Sequence, residues 1–537
     1  MQHPRKIIFS IIAMFLFINF FSGCIIDDLF GSNSTSFSLD SWQIYDHQGF
    51  PCLSLVFTCS DRVTVNLYSS SDVLLDSDSF LEIKNKEAFF CLASYGETVS
   101  AGDYQLKVLD KNDDQIYKKV FSFSGLNNTV LSCEQKWWKH DLNADDYSLI
   151  GLNLNFMNNG DTPVYPYNVN VFIDSSTLQG VIIPEVVLPG ETAELNCFVY
   201  KPGKINDAVF SLNVENSYGT VLAAGSFSTV VEDIVNYEEF SWNYKNSPRN
   251  VKIPMLNFYY QYYSDIERYQ NDDYCLYIYD LLDDPYIDMI VKNCIMSDFT
   301  SDNDVEIINY VASFVQSLDY KKDSDIDDSY EYPRYPIETL FNNGGDCEDK
   351  AIITACMLDN LGYSVSLIRL PGHMAVGVNL SEDSLPTYDY YVYDYYFLET
   401  TTEGKTVGFI PKEHVSSSEI DVFNVSYRGL LTHHWEDNSL TIYKNTDIGD
   451  YIKVIVYVEN IGVKTDSNVK VEGVFYTNSG LEFNAESEII SSIKPGMKDK
   501  VILTVNVPEG RTTWFKTRVY INDEVVDIRE SSSTFPV

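Results

Sequence analysis

The chain runs to 537 residues, too long for one ordinary hydrophobic core, and predicts three or four domains. With 45% hydrophobic residues it reads as globular, and 78 acidic against 37 basic side chains give a formal net charge of −41. Such a surface repels phosphate backbones, which excludes nucleic acid as an expected partner; the acidity itself is read as the solubility of an exposed protein and identifies no substrate.

At the start of the chain, Arg5 and Lys6 precede a largely apolar run from Ile7 to Phe21 that breaks at Phe21-Ser22-Gly23-Cys24. That is the grammar of a signal peptide over residues 1–23. The tetrapeptide resembles the prokaryotic lipoprotein box, with Phe21 where that motif usually has Leu. The resemblance implies lipid attachment at Cys24 and a body at the extracellular face of the membrane, or secreted. The alternative is a plain signal anchor, for which an apolar run of about 15 residues is short. Residues 24–36, which include GSNSTS from Gly31 to Ser36, read as a flexible tether.

Between 37 and 126, short alternating runs such as LSLVFTC, VTVNLYS and YQLKVLD are separated by Gly, Asp, Asn and Ser, which predicts an antiparallel β-sandwich of immunoglobulin-like type. Residues 131–232 and 432–537 carry two further all-β blocks that share an order of features. Each has a strand, a turn with Asn shortly before Gly, a strand, and a Pro-Gly turn opening another strand. Both resemble the adhesion-related β-sandwich modules of archaeal and bacterial surface proteins, which space or bind. Sequons at Asn33, Asn127, Asn379 and Asn424 permit glycosylation.

The texture changes over 236–428, where DDPYIDMIVKNCIM and DVEIINYVASFVQSLDY place apolar residues three and four apart and predict helices. Asp346 is a good N-cap, and Cys347, Ala351, Ala355, Leu358 and Gly362 share one face of the helix that follows. A thiol in the first turn feels the positive end of the helix dipole, which predicts a lowered pKa; a buried structural cysteine is the competing reading. A strand, a Pro-Gly break and a second strand opening on His373 come next, then an aromatic strand ending at Glu399. An antiparallel pair of this kind can present His373 to the thiol and Glu399 to His373, a Cys/His/acid triad in outline.

GGDCEDKA, PGHMAVGV and YYFLETT, in this order, resemble the transglutaminase-like superfamily, a branch of the papain-like cysteine fold. The upstream YPRYPIETL and FVQSLDY resemble the versions found in archaeal surface proteins. The resemblance implies an α+β domain over 236–428 with Cys347, His373 and Glu399 as catalytic residues, Glu399 standing where Asp is common. Met374 and Ala375 replace the usual Ala-Trp after the histidine. Gln316 could donate to an oxyanion hole as a Gln does in papain-like enzymes, with a helix-surface glutamine as the competing reading and the backbone N–H of Cys347 as the other donor. Arg334 is read as a partner of the abundant acids, and His414 as a surface histidine. DSDIDD, Asp323 to Asp328, has oxygen-rich spacing suited to calcium but lacks the Gly and Glu of a calcium loop, and reads as solvated.

The expected activity is acyl transfer on an extracellular protein or peptide through a thioester, with hydrolysis preferred, protein crosslinking second and a non-catalytic adhesion module third. That chemistry requires no metal or organic cofactor. Setting aside Cys24 and Cys347 leaves eight of the ten cysteines, an even number compatible with extracellular disulfides of open pairing. No CxxC pair or HxxxH spacing supports structural zinc.

Overall fold

The strands that the alternating runs predict are present in a computed structural model that describes residues 35–535, apart from 140–146, 267, 270–272, 324–331, 382–384, 413, 416–418, 426–429, 437–439, 445–448 and 463. The signal peptide, Cys24 and nearly all of the tether lie outside the described residues. Among the described residues no helix is long and apolar enough to cross a membrane.

In the first all-β unit, Phe37–His47, Phe50–Cys59 and Ile83–Cys91 form one sheet, and Leu74–Phe80, Val63–Tyr68, Gly102–Asp110 and Gln115–Phe123 form a second. Period-two alternation sends Tyr104, Leu106 and Val108 inward to meet Leu53, Leu55 and Phe57 in one core. The last unit, from Leu431–Trp435 to Glu524–Glu530, also has two sheets, here of four strands each, over a shared core of Val454, Val456, Val471 and Phe515. The second unit differs. Its strands, from Asn128–Lys139 to Asp233–Ile234, are hydrogen-bonded into a single eight-stranded sheet, because the hairpin Asn168–Ile173/Ser176–Ile182 joins what would be two layers. Val221–Ser228 comes back against Asn128–Lys139, so the sheet wraps round its own core.

The feature order shared by the second and last units has an atomic basis. Asn158 and Asn460, both fully buried, donate their side-chain amides in the same way: Asn158 to the carbonyls of Thr162 (2.9 Å) and Val187 (2.8 Å), Asn460 to those of Lys464 (2.7 Å) and Ile493 (2.9 Å). Each accepts from the glycine two residues on, Gly160 at 2.9 Å and Gly462 at 3.0 Å.

Between them, the hairpin Tyr237–Tyr244/Ser247–Pro254 leads into five α-helices among the described residues: α1 (Asn257–Asp265), α2 (Asp284–Met289), α3 (Asp304–Ser317), α4 (Pro336–Phe341) and α5 (Cys347–Asn360). Helix α2 runs on as a π turn over Ile290–Ile295. A five-stranded sheet follows, ordered Tyr391–Val392, Tyr395–Leu398, His373–Val378, Val365–Leu370, Asp421–Asn424. Helix α5 is packed by this sheet and by α2, α3 and α4, so every residue from Glu348 to Leu358 is buried; the one-faced pattern read from the sequence understates its burial.

The units do not hang in a line. Lys453 of the last unit pairs with Asp78 of the first, and Lys500 with Asp76 at 2.9 Å. Phe50 and Tyr457 meet across the same seam as a tilted pair with ring centroids 5.9 Å apart, and Tyr165 of the second unit donates to Asp46 of the first at 2.9 Å. The chain therefore closes on itself. No disulfide joins the nine described cysteines; Cys52 and Cys91 come closest, opposite one another on adjacent strands with sulfurs 3.2 Å apart.

Candidate active site

Two glycines set the start of α5. Gly344 (φ +149°) and Gly345 pair with Asp319 and Tyr320 in a short parallel bridge, and a Cβ on Gly344 would collide with the carbonyl of Asp319, one on Gly345 with the side chain of Asp349. Cys347 is the first helical residue, so its N–H has no intrahelical acceptor. Asp349 accepts from the backbone N–H groups of Asp346 (3.2 Å) and Arg334 (2.7 Å) and pairs with the Arg334 guanidinium, which also meets Asp323 at 3.1 Å. Arg334 is thus fully engaged with acids, as its sequence context predicts. The buried ammonium of Lys350, lowered to about 8 by burial, donates to the carbonyls of Gln316 (3.3 Å) and Leu318 (2.7 Å) and ties α5 to the end of α3.

His373 leaves the Pro371-Gly372 turn, where Gly372 has φ +68°, as the first residue of its strand. The neighbouring strand pairs Leu398 with Val376, which brings Glu399 alongside. His373 Nε2 lies 3.0 Å from Glu399 Oε2, and the other carboxylate oxygen accepts from the N–H (2.8 Å) and hydroxyl of Thr401. Burial pushes the Glu399 carboxyl up, but the bonds from His373 and Thr401 outweigh it and hold the group down to about 2. An ionised Glu399 only accepts, so the hydrogen between them belongs to Nε2 and Nδ1 is the basic nitrogen.

Gln316 departs from both roles its sequence context suggests. It is buried, not on the helix surface, and its Nε2 donates to the carbonyls of Glu399 (2.8 Å) and Lys405 (2.9 Å), which takes both hydrogens and leaves none for an oxyanion. Its role here is to brace the loop that carries Glu399.

The thiol of Cys347 faces Glu348, Sγ to Oε2 3.1 Å, and receives the backbone N–H of Met374, the residue after His373. Burial first, then the Glu348 carboxylate, push it well above the ordinary thiol range. The lowered pKa expected from the helix terminus is therefore overturned in this arrangement, where burial and the adjacent Glu348 carboxylate push the thiol up. Cys347 thus sits beside the His373 strand, but its hydrogen bonds go to Glu348, Met374 and the Tyr320 hydroxyl.

Two further residues escaped the sequence. His414, read as a surface histidine, stacks on His373 with centroids 4.9 Å apart and planes at 10°. Glu348 was visible only as one acid among many in GGDCEDKA. Carboxylate oxygens of Asp323, Asp346 and Glu348 all lie within 4.8 Å of one another, and these three could hold a cation. Of the stretch DSDIDD only Asp323 belongs to the described residues, so the rest of that calcium reading lies outside them. Cys356 is 1% exposed in the core.

No family model matches the chain, and no curated protein does. Among solved structures, a transglutaminase from red sea bream is similar over 70% of this chain and 79% of its own, at 11% identity and a TM-score of 0.19. An exo-chitosanase from Amycolatopsis orientalis (11% identity, TM-score 0.13) covers 35% of this chain and 26% of its own, and a β-glucuronidase from Bacteroides uniformis (12%, 0.14) covers 31% and 22%. Likenesses of this depth carry no argument about activity.

Proposed function

We propose that the chain is a cysteine-nucleophile acyl-transfer enzyme with a transglutaminase-like domain over 236–428, carried among β-sandwich modules and acting as a hydrolase on extracellular proteins or peptides. The observation that supports it is the His373–Glu399 pair, oriented by Thr401 and set beside a thiol at a helix N-terminus. Glu399 holds Nε2–H, leaving Nδ1 to take the thiol proton once Sγ turns from Glu348. The thiolate then adds to an amide carbonyl, and the oxyanion is met by the free N–H of Cys347. The C–N bond breaks as imidazolium returns the proton to the departing amine, leaving a thioester. Water, deprotonated by His373, cleaves the thioester to a carboxylic acid and regenerates the thiol. No step in this scheme runs through a metal. In this reading the mature chain is held outside the cytoplasm by a lipid on Cys24 or by a signal anchor.

The test incubates the full chain with a glutamine peptide and a labelled primary amine. Release of ammonia with the free acid as product, abolished by Cys347→Ala and reduced at least about a thousandfold by His373→Ala, is the expected result. Amine-bearing product would move the assignment to crosslinking. Activity that survives Cys347→Ala would end the proposal.

A further inference from the structure

A cavity of about 540 Å³ lies where four parts of the chain meet: the first unit at Gly49 to Gly96, the second at Tyr165 to Ser217, the helical region at Tyr262 to Tyr335, and the last unit at Glu459 to Lys498. It shares Tyr269, Glu459 and Lys498 with a neighbouring cavity of about 760 Å³. Cys347 does not line it. Its wall is rich in tyrosine: Tyr167 and Tyr262 feel the charge of Asp280, and Tyr95 and Tyr262 that of Glu459.

The charges in this wall are unbalanced. Lys498 answers Glu459 at 3.3 Å and lies 5.4 Å from the centre of the Tyr95 ring, so the chain already seats one ammonium between a carboxylate and a tyrosine face here. Asp280 has no cationic partner among the described residues. Asp283, behind Asp280 and not lining the cavity, is 1% exposed with neither carboxylate oxygen hydrogen-bonded. Burial pushes Asp280 up to about 6, with Glu459 adding to the push, and burial followed by Asp280 pushes Asp283 up further. An electron-rich ring face beside a lining carboxylate without a cationic partner, Asp280, favours a positively charged guest with an apolar coat, whereas a neutral sugar would leave that carboxylate as it is.

We propose that this tyrosine-walled cavity binds an alkylammonium compound, its cationic head against Asp280 and the ring of Tyr262. Formation of the site requires all four parts of the chain, so only the assembled molecule possesses it.

The test is calorimetric titration of the full chain with choline and with its uncharged isostere 3,3-dimethylbutan-1-ol. It is run in about 0.5 M salt, where screening over about 4 Å suppresses diffuse attraction to the acidic surface. Choline should bind one-to-one and at least tenfold more tightly than the alcohol. Asp280→Asn and, separately, Tyr262→Leu should each weaken choline at least tenfold, with the unfolding midpoint checking that each variant is folded; the two probe the head-group contact by different chemistry, so either suffices if the other fails to fold. The proposal is overturned by absence of saturable binding, by equal binding of the alcohol, by binding of a neutral oligosaccharide in choline's place, or by choline affinity unmoved in a folded variant.

Discussion

Glu348 adds to burial in setting the resting state of the candidate nucleophile. It follows Cys347 in sequence, lies buried, and turns its carboxylate onto the sulfur at 3.1 Å, so the thiol is held protonated where a helix terminus alone would favour thiolate. Glu348→Gln removes the anion and keeps the shape. The pH profile of iodoacetamide labelling at Cys347 should shift to lower pH, with about a tenfold gain in rate at fixed pH for each unit moved. Burial is the larger cause and remains, so the profile should still lie above that of a free thiol. A profile that does not move would show that Glu348 has no hold on the sulfur. Glu399 illustrates the opposite balance, burial overcome by three hydrogen bonds, and only such a carboxylate can fix which imidazole nitrogen is basic.

Among the elements, the paired turns at Asn158 and Asn460 are the strongest internal repeat. Asn460→Ala would strand two buried carbonyls and the N–H of Gly462, at a cost of about 2–4 kcal/mol, read as a lowered denaturation midpoint; Asn460→Asp, which retains only the acceptor, should recover part of it at most. These turns are legible in the sequence because Asn, Gly and Pro-Gly act locally, within a few residues. For the same reason the start of α5, the Pro371-Gly372 hairpin and the placing of Glu399 after an aromatic strand can be read from the residues alone. The roles of Gln316 and His414 cannot. Whether a glutamine faces solvent or two carbonyls from residues 399 and 405 depends on a loop more than eighty residues away, and no helical periodicity records it. Nor does one-faced spacing reveal that α5 is enclosed on all sides, since its buried polar residues, Asp349 and Lys350, are satisfied by partners from other elements.

For the whole molecule, the seam between first and last units replaces the picture of modules on a string. Lys500 and Asp76 are both largely buried there, with side-chain exposures of 20% and 13%. A double-mutant cycle of Lys500→Met with Asp76→Asn should give a coupling of about 1–2 kcal/mol, since either single change leaves a charge with its partner gone. Coupling near zero would mean that the ion pair contributes nothing to holding the ends together. Nothing in the sequence announces this seam, because Asp78 and Lys453 are 375 residues apart and each looks like an ordinary surface charge.

That closure also governs how the molecule would respond to force. Tension applied between the two ends of a string of modules passes through every one in series, and the weakest gives way first. Here the first and last units are fastened directly, so a pull between the chain's ends loads the Lys453–Asp78 and Lys500–Asp76 contacts before it reaches the helices that position Cys347 and His373. The candidate site sits in the slack part of the ring, mechanically sheltered until the clasp opens.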